Sequence, residues 1–147
     1  MVKKKNILFV CKHNVFRSQV AKEFFNKLNK NKNYKATSAG IIPYIKRDLI
    51  GDKSYGIEKK ILKKFGIKTG KKPKGINSTL LKNTDILIIV ADDIQPSIFK
   101  EEYIFNGKLI VWKIYDVKEE DTEKERIILN SIKQIENKIK ILVKELK

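Results

Sequence analysis

One cysteine, one histidine and three arginines are present in 147 residues, and three of those five side chains fall within the seven positions from Cys11 to Arg17. The stretch reads Cys11-Lys12-His13-Asn14-Val15-Phe16-Arg17-Ser18, a C-x5-R-S spacing. As a bare pattern this is weak, but its setting is not. Ile7-Leu8-Phe9-Val10 before it is almost wholly apolar, and a helical pattern starts at Arg17. A tight loop at a helix start aims backbone N–H groups and the positive end of the helix dipole at one point. An arginine there can offer a planar fork to two oxygens of a tetrahedral oxyanion. The same field favours thiolate over thiol, which makes Cys11 a candidate nucleophile, with Ser18 placed to donate a hydrogen bond to its sulfur. The plain alternative is a cysteine packed as a small hydrophobe at a strand end. Arg17-Ser18 at this spacing weighs against it.

The elements needed to position these residues follow from periodicity. Asn6 to Val10 reads as a strand buried on both faces. Arg17 to Asn31 reads as a helix with Val20, Ala21, Phe24, Phe25 and Leu28 on one side. Tyr34 to Ser38 is a second strand ending at Ala39-Gly40, and 41–52 a loop. Ser54 to Phe65 is helical, with Gly66 as its C-cap. Asn77-Ser78 caps a short helix, Asp85 to Ala91 is a strand, a short helix lies near Pro96 to Glu101, and Lys108 to Trp112 is a fourth strand. Thr122-Glu123-Lys124-Glu125 reads as a capping box, and Asp121 before it as a favourable charge at the helix start. The helix that follows carries Ile128, Ile132, Ile135, Ile139, Leu142 and Leu146 in one stripe, which suits docking on a sheet better than a coiled coil. Strands alternating with helices predict a single α/β domain over 1–147, doubly wound, with a four-stranded parallel sheet covered on both faces and a long C-terminal helix. Ligands of such sheets bind beyond the carboxyl ends of the strands, where Cys11 stands.

Composition narrows the function classes. Hydrophobic residues at 41% and charged residues at 34% suit a globular chain rather than a disordered one. A single cysteine excludes an internal disulfide and a multi-cysteine zinc site. The apolar run after Met1-Val2-Lys3-Lys4-Lys5 stops at Cys11, too short for a signal peptide or a membrane span, so a cytoplasmic protein is expected. The net charge of +16 is uneven: residues 1–75 hold 21 Lys+Arg against 4 Asp+Glu, and residues 76–147 hold 12 against 13. A basic half suits nucleic acid or the steering of anionic substrates. However, 30 of the 33 basic residues are lysine, which reads first as compositional bias, so nucleic acid is not the expected partner.

On these residues the sequence resembles the low-molecular-weight protein tyrosine phosphatase family and the arsenate reductases of the same fold. Ile7-Leu8-Phe9-Val10-Cys11 with Asn14, Arg17, Ser18 and Ala21 is similar to the family's strand, phosphate loop and helix. Ser38-Ala39-Gly40 is similar to its Ser-Ala-Gly turn, whose serine braces the loop asparagine, here Asn14. Phe65-Gly66-Ile67, Asp85 to Asp92 and Trp112-Lys113-Ile114-Tyr115-Asp116 resemble further segments, the last delivering the general acid. Departures are His13 where the family usually has glycine, Phe16 where many members have a second cysteine, and Val117 where Asp-Pro is usual.

The resemblance implies phosphomonoester hydrolysis without metal or cofactor. Cys11 would attack phosphorus, Lys12 to Ser18 would form the phosphate-binding loop, Arg17 would hold the oxygens, and Asp116 would protonate the leaving group. Ser18 and Ser38 would support the loop, and Tyr44 would pack against a substrate ring. His13 reads as a side chain at the pocket rim ahead of a catalytic base. Asp92, Asp93 and Asp121 are the other acid candidates. The expected partners are a phosphorylated protein, above all phosphotyrosine, or a small aryl phosphate, with phosphate or another oxyanion in the loop of a monomer. Two other readings stand beside this one. One is an arsenate reductase that depends on an external thiol, since Ala91-Asp92-Asp93-Ile94-Gln95-Pro96-Ser97-Ile98 holds no relay cysteine. The other is a non-catalytic oxyanion- or nucleic-acid-binding protein.

Overall fold

The computed structural model describes residues 4–42 and 53–146. Tyr44 and most of the 41–52 loop lie outside the described residues. Four strands, β1 (Lys5–Cys11), β2 (Tyr34–Gly40), β3 (Ile86–Val90) and β4 (Lys108–Trp112), form one parallel sheet in the order β2-β1-β3-β4. The chain moves from β1 to β2 on one side and then returns to place β3 on the other. The carboxyl end of β1 is therefore the switch point of the topology, where a crevice opens. Cys11 ends β1.

Alternation along the strands feeds two cores. Ile7 and Phe9 of β1 and Ile88 and Val90 of β3 point to one face, where α1 (Arg17–Leu28), α2 (Lys53–Lys64) and α5 (Lys124–Glu145) pack. The α5 stripe from Ile128 to Leu142 lies in this core, with Ile128, Ile132, Ile135 and Ile139 wholly buried, each stabilising the fold by roughly 1.5–3 kcal/mol on area grounds. Leu8, Val10, Leu87 and Ile89 point the other way, toward α3 (Ser78–Lys82) and α4 (Ile98–Glu101), which contribute Leu81 and Phe99. Helices thus cover both faces, as the alternation predicts.

Local chemistry sets the boundaries. Gly66 takes φ +71, and the N–H groups of Gly66 and Ile67 reach the Lys63 and Leu62 carbonyls at 3.1 Å each, closing α2 in a Schellman turn. Asn77 Oδ1 accepts from Leu80 N–H at 2.8 Å and starts α3. Two expectations need correction. The first helix ends at Leu28 rather than Asn31, because Asn29 turns extended and its Oδ1 accepts from Asn31 N–H at 3.0 Å. The capping box at Thr122 does not form. Glu123, in a left-handed conformation, precedes α5 with no side-chain cap, and Asp121 instead closes the preceding turn by accepting from Lys118 N–H at 2.8 Å. Among the described residues no helix is long and apolar enough to cross a membrane.

Candidate active site

The segment between β1 and α1 wraps around the Cys11 sulfur. Asn14 N–H donates to Sγ at 3.2 Å, and Ser18 Oγ lies 3.0 Å from Sγ. Asn14 orders this wrap from beneath. It is 1% exposed, has φ 55, and its Nδ2 donates to Ser18 Oγ at 2.8 Å and to Ser38 Oγ at 3.1 Å. Its Oδ1 accepts from Lys74 N–H at 2.9 Å, which fixes the amide orientation, since a backbone N–H can only donate. Ser18 Oγ, which accepts from Asn14, still has its own hydrogen to offer to the sulfur. The left-handed backbone is at Asn14, a residue type that tolerates it, and not at His13, so histidine fits where the family usually has glycine.

Two further contacts close the loop's underside. Gly40 lies so near that an added Cβ would stand 2.8 Å from Asn14 N and 2.8 Å from His13 C. No other residue type fits there. Gln19, 4% exposed, donates from Nε2 to the Asn14 and Lys71 carbonyls at 2.7 and 3.0 Å, and its Oε1 accepts from Gly70 N–H at 3.1 Å. Neither role was legible in the sequence. The Ser-Ala-Gly turn marked Gly40 without its reason, and Gln19 reads as an ordinary helical residue.

α1 begins at Arg17 with no side-chain cap in its first turn, the arrangement that receives anions. Arg17 is 2% exposed. Its Nη1 donates to the Ile114 carbonyl and to Asp93 Oδ1, both at 3.0 Å, and Nη2 reaches Asp93 Oδ2 at 3.4 Å. Asp92 and Asp116 stand 3.8 Å away. Burial opposes the Arg17 charge, but the electrostatic pull of Cys11, Asp116 and Asp93 outweighs it and raises its pKa above the ordinary value.

A cleft of about 260 Å³ opens above the sulfur, lined by Cys11, His13, Val15, Phe16 and Arg17, by Ser54 and Glu58 of α2, and by residues Asp116, Val117, Lys118 and Glu119. Phe16 also belongs to the core. His13 donates from Nδ1 to the Ile42 carbonyl at 2.7 Å, which ties the rim of the loop to the end of β2. Lys12 does not line the cleft, and its carbonyl accepts from Ile42 N–H at 2.8 Å. Ser54 and Glu58 were missed in the sequence because polar residues four apart on an amphipathic helix read as a solvated face.

The segment carrying Asp116 is anchored on both sides. Trp112 packs on Phe9 with ring centroids 5.9 Å apart, the Tyr115 carbonyl accepts from Ser131 Oγ at 3.1 Å, and Val117 packs against the core. Asp121 Oδ2 accepts from Tyr115 Oη at 2.9 Å as well as from Lys118 N–H. These bonds lower the Asp121 pKa, and the same bond raises that of Tyr115.

Comparison with known proteins agrees with this architecture. A search of the curated proteins gives no significant match. Among solved structures, an arsenate reductase from Archaeoglobus fulgidus is 26% identical, with TM-score 0.62 over 93% of this chain and 98% of that one. A protein tyrosine phosphatase from Entamoeba histolytica is 21% identical, with TM-score 0.74 over 97% and 96%. Wzb of Vibrio vulnificus, solved with benzylphosphonate, is 18% identical, with TM-score 0.73 over 96% and 98%. The family model described as low molecular weight phosphotyrosine protein phosphatase matches residues 6–147, and over that whole span the chain belongs to this family.

Proposed function

We propose that this chain acts, as one domain, as a cysteine-dependent phosphatase that hydrolyses phosphomonoesters, with protein phosphotyrosine or a small aryl phosphate as substrate. The observation that carries the reading is the Cys11 sulfur held between Asn14 N–H and Ser18 Oγ at the uncapped start of α1, with buried Arg17 in that first turn. In the first step the Cys11 thiolate forms an S–P bond while the ester P–O bond breaks. Asp116 gives its proton to the departing oxygen. Loop N–H groups from Lys12 to Ser18 and the Arg17 guanidinium hold the three remaining phosphoryl oxygens as charge redistributes. In the second step water attacks phosphorus, its proton passes to the Asp116 carboxylate, and the S–P bond breaks to release phosphate and the thiolate.

Asp116 lines the cleft and stands 3.8 Å from Arg17 Nη2. That supports it over Asp121, which is occupied by Tyr115 and Lys118 outside the cleft lining. An unpaired, nucleophilic thiol suits a reducing, cytoplasmic setting. A second reading, arsenate reduction, draws on the 26% identity to an arsenate reductase, and with one cysteine in the chain an external thiol must resolve the adduct. A paired assay separates the two. Release of phosphate from 4-nitrophenyl phosphate without thiol-dependent loss of arsenate supports the phosphatase. Thiol-dependent arsenate consumption with no phosphate release supports the reductase and overturns the proposal.

A further inference from the structure

The segment 70–74 is pinned against α1 on the underside of the catalytic loop. Gly70 N–H donates to Gln19 Oε1 at 3.1 Å, the Lys71 carbonyl accepts from Gln19 Nε2 at 3.0 Å, and Lys74 N–H donates to Asn14 Oδ1 at 2.9 Å. Pro73 stiffens the span between these bonds. One turn along α1 from Gln19 come Lys22 and Glu23. Lys22 Nζ and Lys71 Nζ both stand 3.7 Å from the same oxygen, Glu23 Oε2. Lys74 adds a third positive charge within electrostatic reach of Lys22. Three ammonium groups therefore share one carboxylate, a surplus of two positive charges. An ammonium has donors and no acceptor, so such neighbours repel and cannot bond to one another. The Lys22 side chain is only 14% exposed, and burial, then Lys71, lowers its pKa below the ordinary value. Lysine is common in this chain, but pairs such as Lys63-Lys64 on α2 are exposed. A cluster gathered around a mostly buried lysine on a pinned segment is not what composition alone produces.

We propose that Lys22, Lys71 and Lys74 form a second anion site, outside the cleft, that takes a phosphate dianion, either free or as a monoester. None of the three lysines lines the cleft above Cys11. A dianion balances the surplus charge, and its oxygens accept from all three ammonium groups. A phosphodiester, with one charge, balances only half of it. The backbone bonds to Gln19 and Asn14 hold the segment in place beforehand, so binding has few groups left to order. Gln19 and Asn14 brace the Cys11 loop as well, so the two anion sites share one support.

The test is acetylation of the full chain by acetic anhydride at pH 8, with peptide mass spectrometry reading each lysine while inorganic phosphate replaces chloride at constant ionic strength. An ammonium held by an anion stays protonated and acylates slowly. Expected is a fall of about threefold or more in Lys71 acetylation, with Lys60 and Lys140 unchanged. Dimethyl phosphate, a monoanion, should protect Lys71 far less. Protection by methylphosphonate as well extends the site to monoesters, and protection by phosphate alone assigns it to the free ion. Glu23→Gln removes the competing carboxylate and should lower the phosphate concentration needed, whereas Lys22→Gln should raise it, with melting curves to confirm that each variant folds. No protection of Lys71, equal slowing at Lys60, or equal protection by dimethyl phosphate overturns the proposal. Arg17→Lys should leave the protection intact, and its loss there would place the signal in the cleft and overturn the proposal too. The readout needs no turnover, so absence of phosphatase activity defeats the proposed function and leaves this test standing.

Discussion

The loop that carries Cys11 and the segment that carries Asp116 line one cleft, yet they are held in different ways. The first is buried and cross-linked by side chains from two parts of the chain and by backbone groups from a third. Asn14, Ser18, Gln19 and Ser38 bond to one another or to backbone, and Lys74 N–H closes the network. The second is anchored at its ends by Ser131 and Val117 and stapled on the exposed side by Asp121. Groups that stabilise charge gain from being fixed in place beforehand, since reorganisation during reaction would cost what they supply. A proton donor must exchange protons with solvent, and a partly exposed segment permits that. On the proposed mechanism, rigidity is concentrated where charge would develop, and access is kept where protons would move.

Breaking the buried side should have the larger effects. Arg17→Lys keeps the charge and loses the fork, so kcat/KM for an aryl phosphate should fall at least about a hundredfold, or about 2.7 kcal/mol. A loss under tenfold in steady-state kinetics would make the arginine merely structural. Asn14→Ala removes the bonds to Ser18 and Ser38, strands the Lys74 N–H, and places alanine at φ 55. It should destabilise the fold by about 3 kcal/mol in urea denaturation and lower turnover as well. Ser131→Ala, the matching cut on the Asp116 side, should cost no more than about 1.5 kcal/mol. Equal losses would erase the contrast.

Asp116→Asn sharpens the comparison through the leaving group. Turnover of phenyl phosphate should drop far more than that of 4-nitrophenyl phosphate, whose leaving group needs little protonation. Equal losses, or a larger selective loss in Asp92→Asn, would move the acid elsewhere.

The smallest effect concerns the exposed staple. The Asp121 pKa lies below its ordinary value of 3.8, so the stabilising bond is present above that value and is lost as pH falls through the lowered one. Tyr115 is raised above 10.0, so its side of the contact is intact below that value and is lost as pH rises through the raised one. In Asp121→Asn the phenol titration followed by ultraviolet absorbance should show one tyrosine returning toward 10.0, with less than a threefold change in turnover. An unchanged titration would show that the contact does not form in solution.

Periodicity alone made most of this fold legible, because strands buried on both faces are apolar runs and α5 repeats its isoleucines on one stripe. The start of α5 was misread: Thr122-Glu123-Lys124-Glu125 has the composition of a capping box, but Asp121 is drawn into the Lys118 turn and the helix starts one residue late. In the site, Cys11, Arg17 and Ser18 were legible because their spacing and their place after a strand are local properties. Gln19, Gly40, Glu58 and the Asp93 bond to Arg17 were not, since each depends on segments distant in sequence meeting in space. Gly40 shows this best. Its need for a bare Cα follows only from how closely β2 passes the His13-Asn14 backbone.

The central claim is that Cys11 carries the phosphoryl group during turnover. Rapid acid quenching of the protein with an excess of aryl phosphate, followed by peptide mass spectrometry, tests this most directly. The account predicts a phosphoryl adduct on the peptide containing Cys11, and turnover reduced by about a thousandfold or more in Cys11→Ser, which still binds phosphate. Phosphate release with no adduct on that peptide, together with substantial activity in Cys11→Ser, would contradict it.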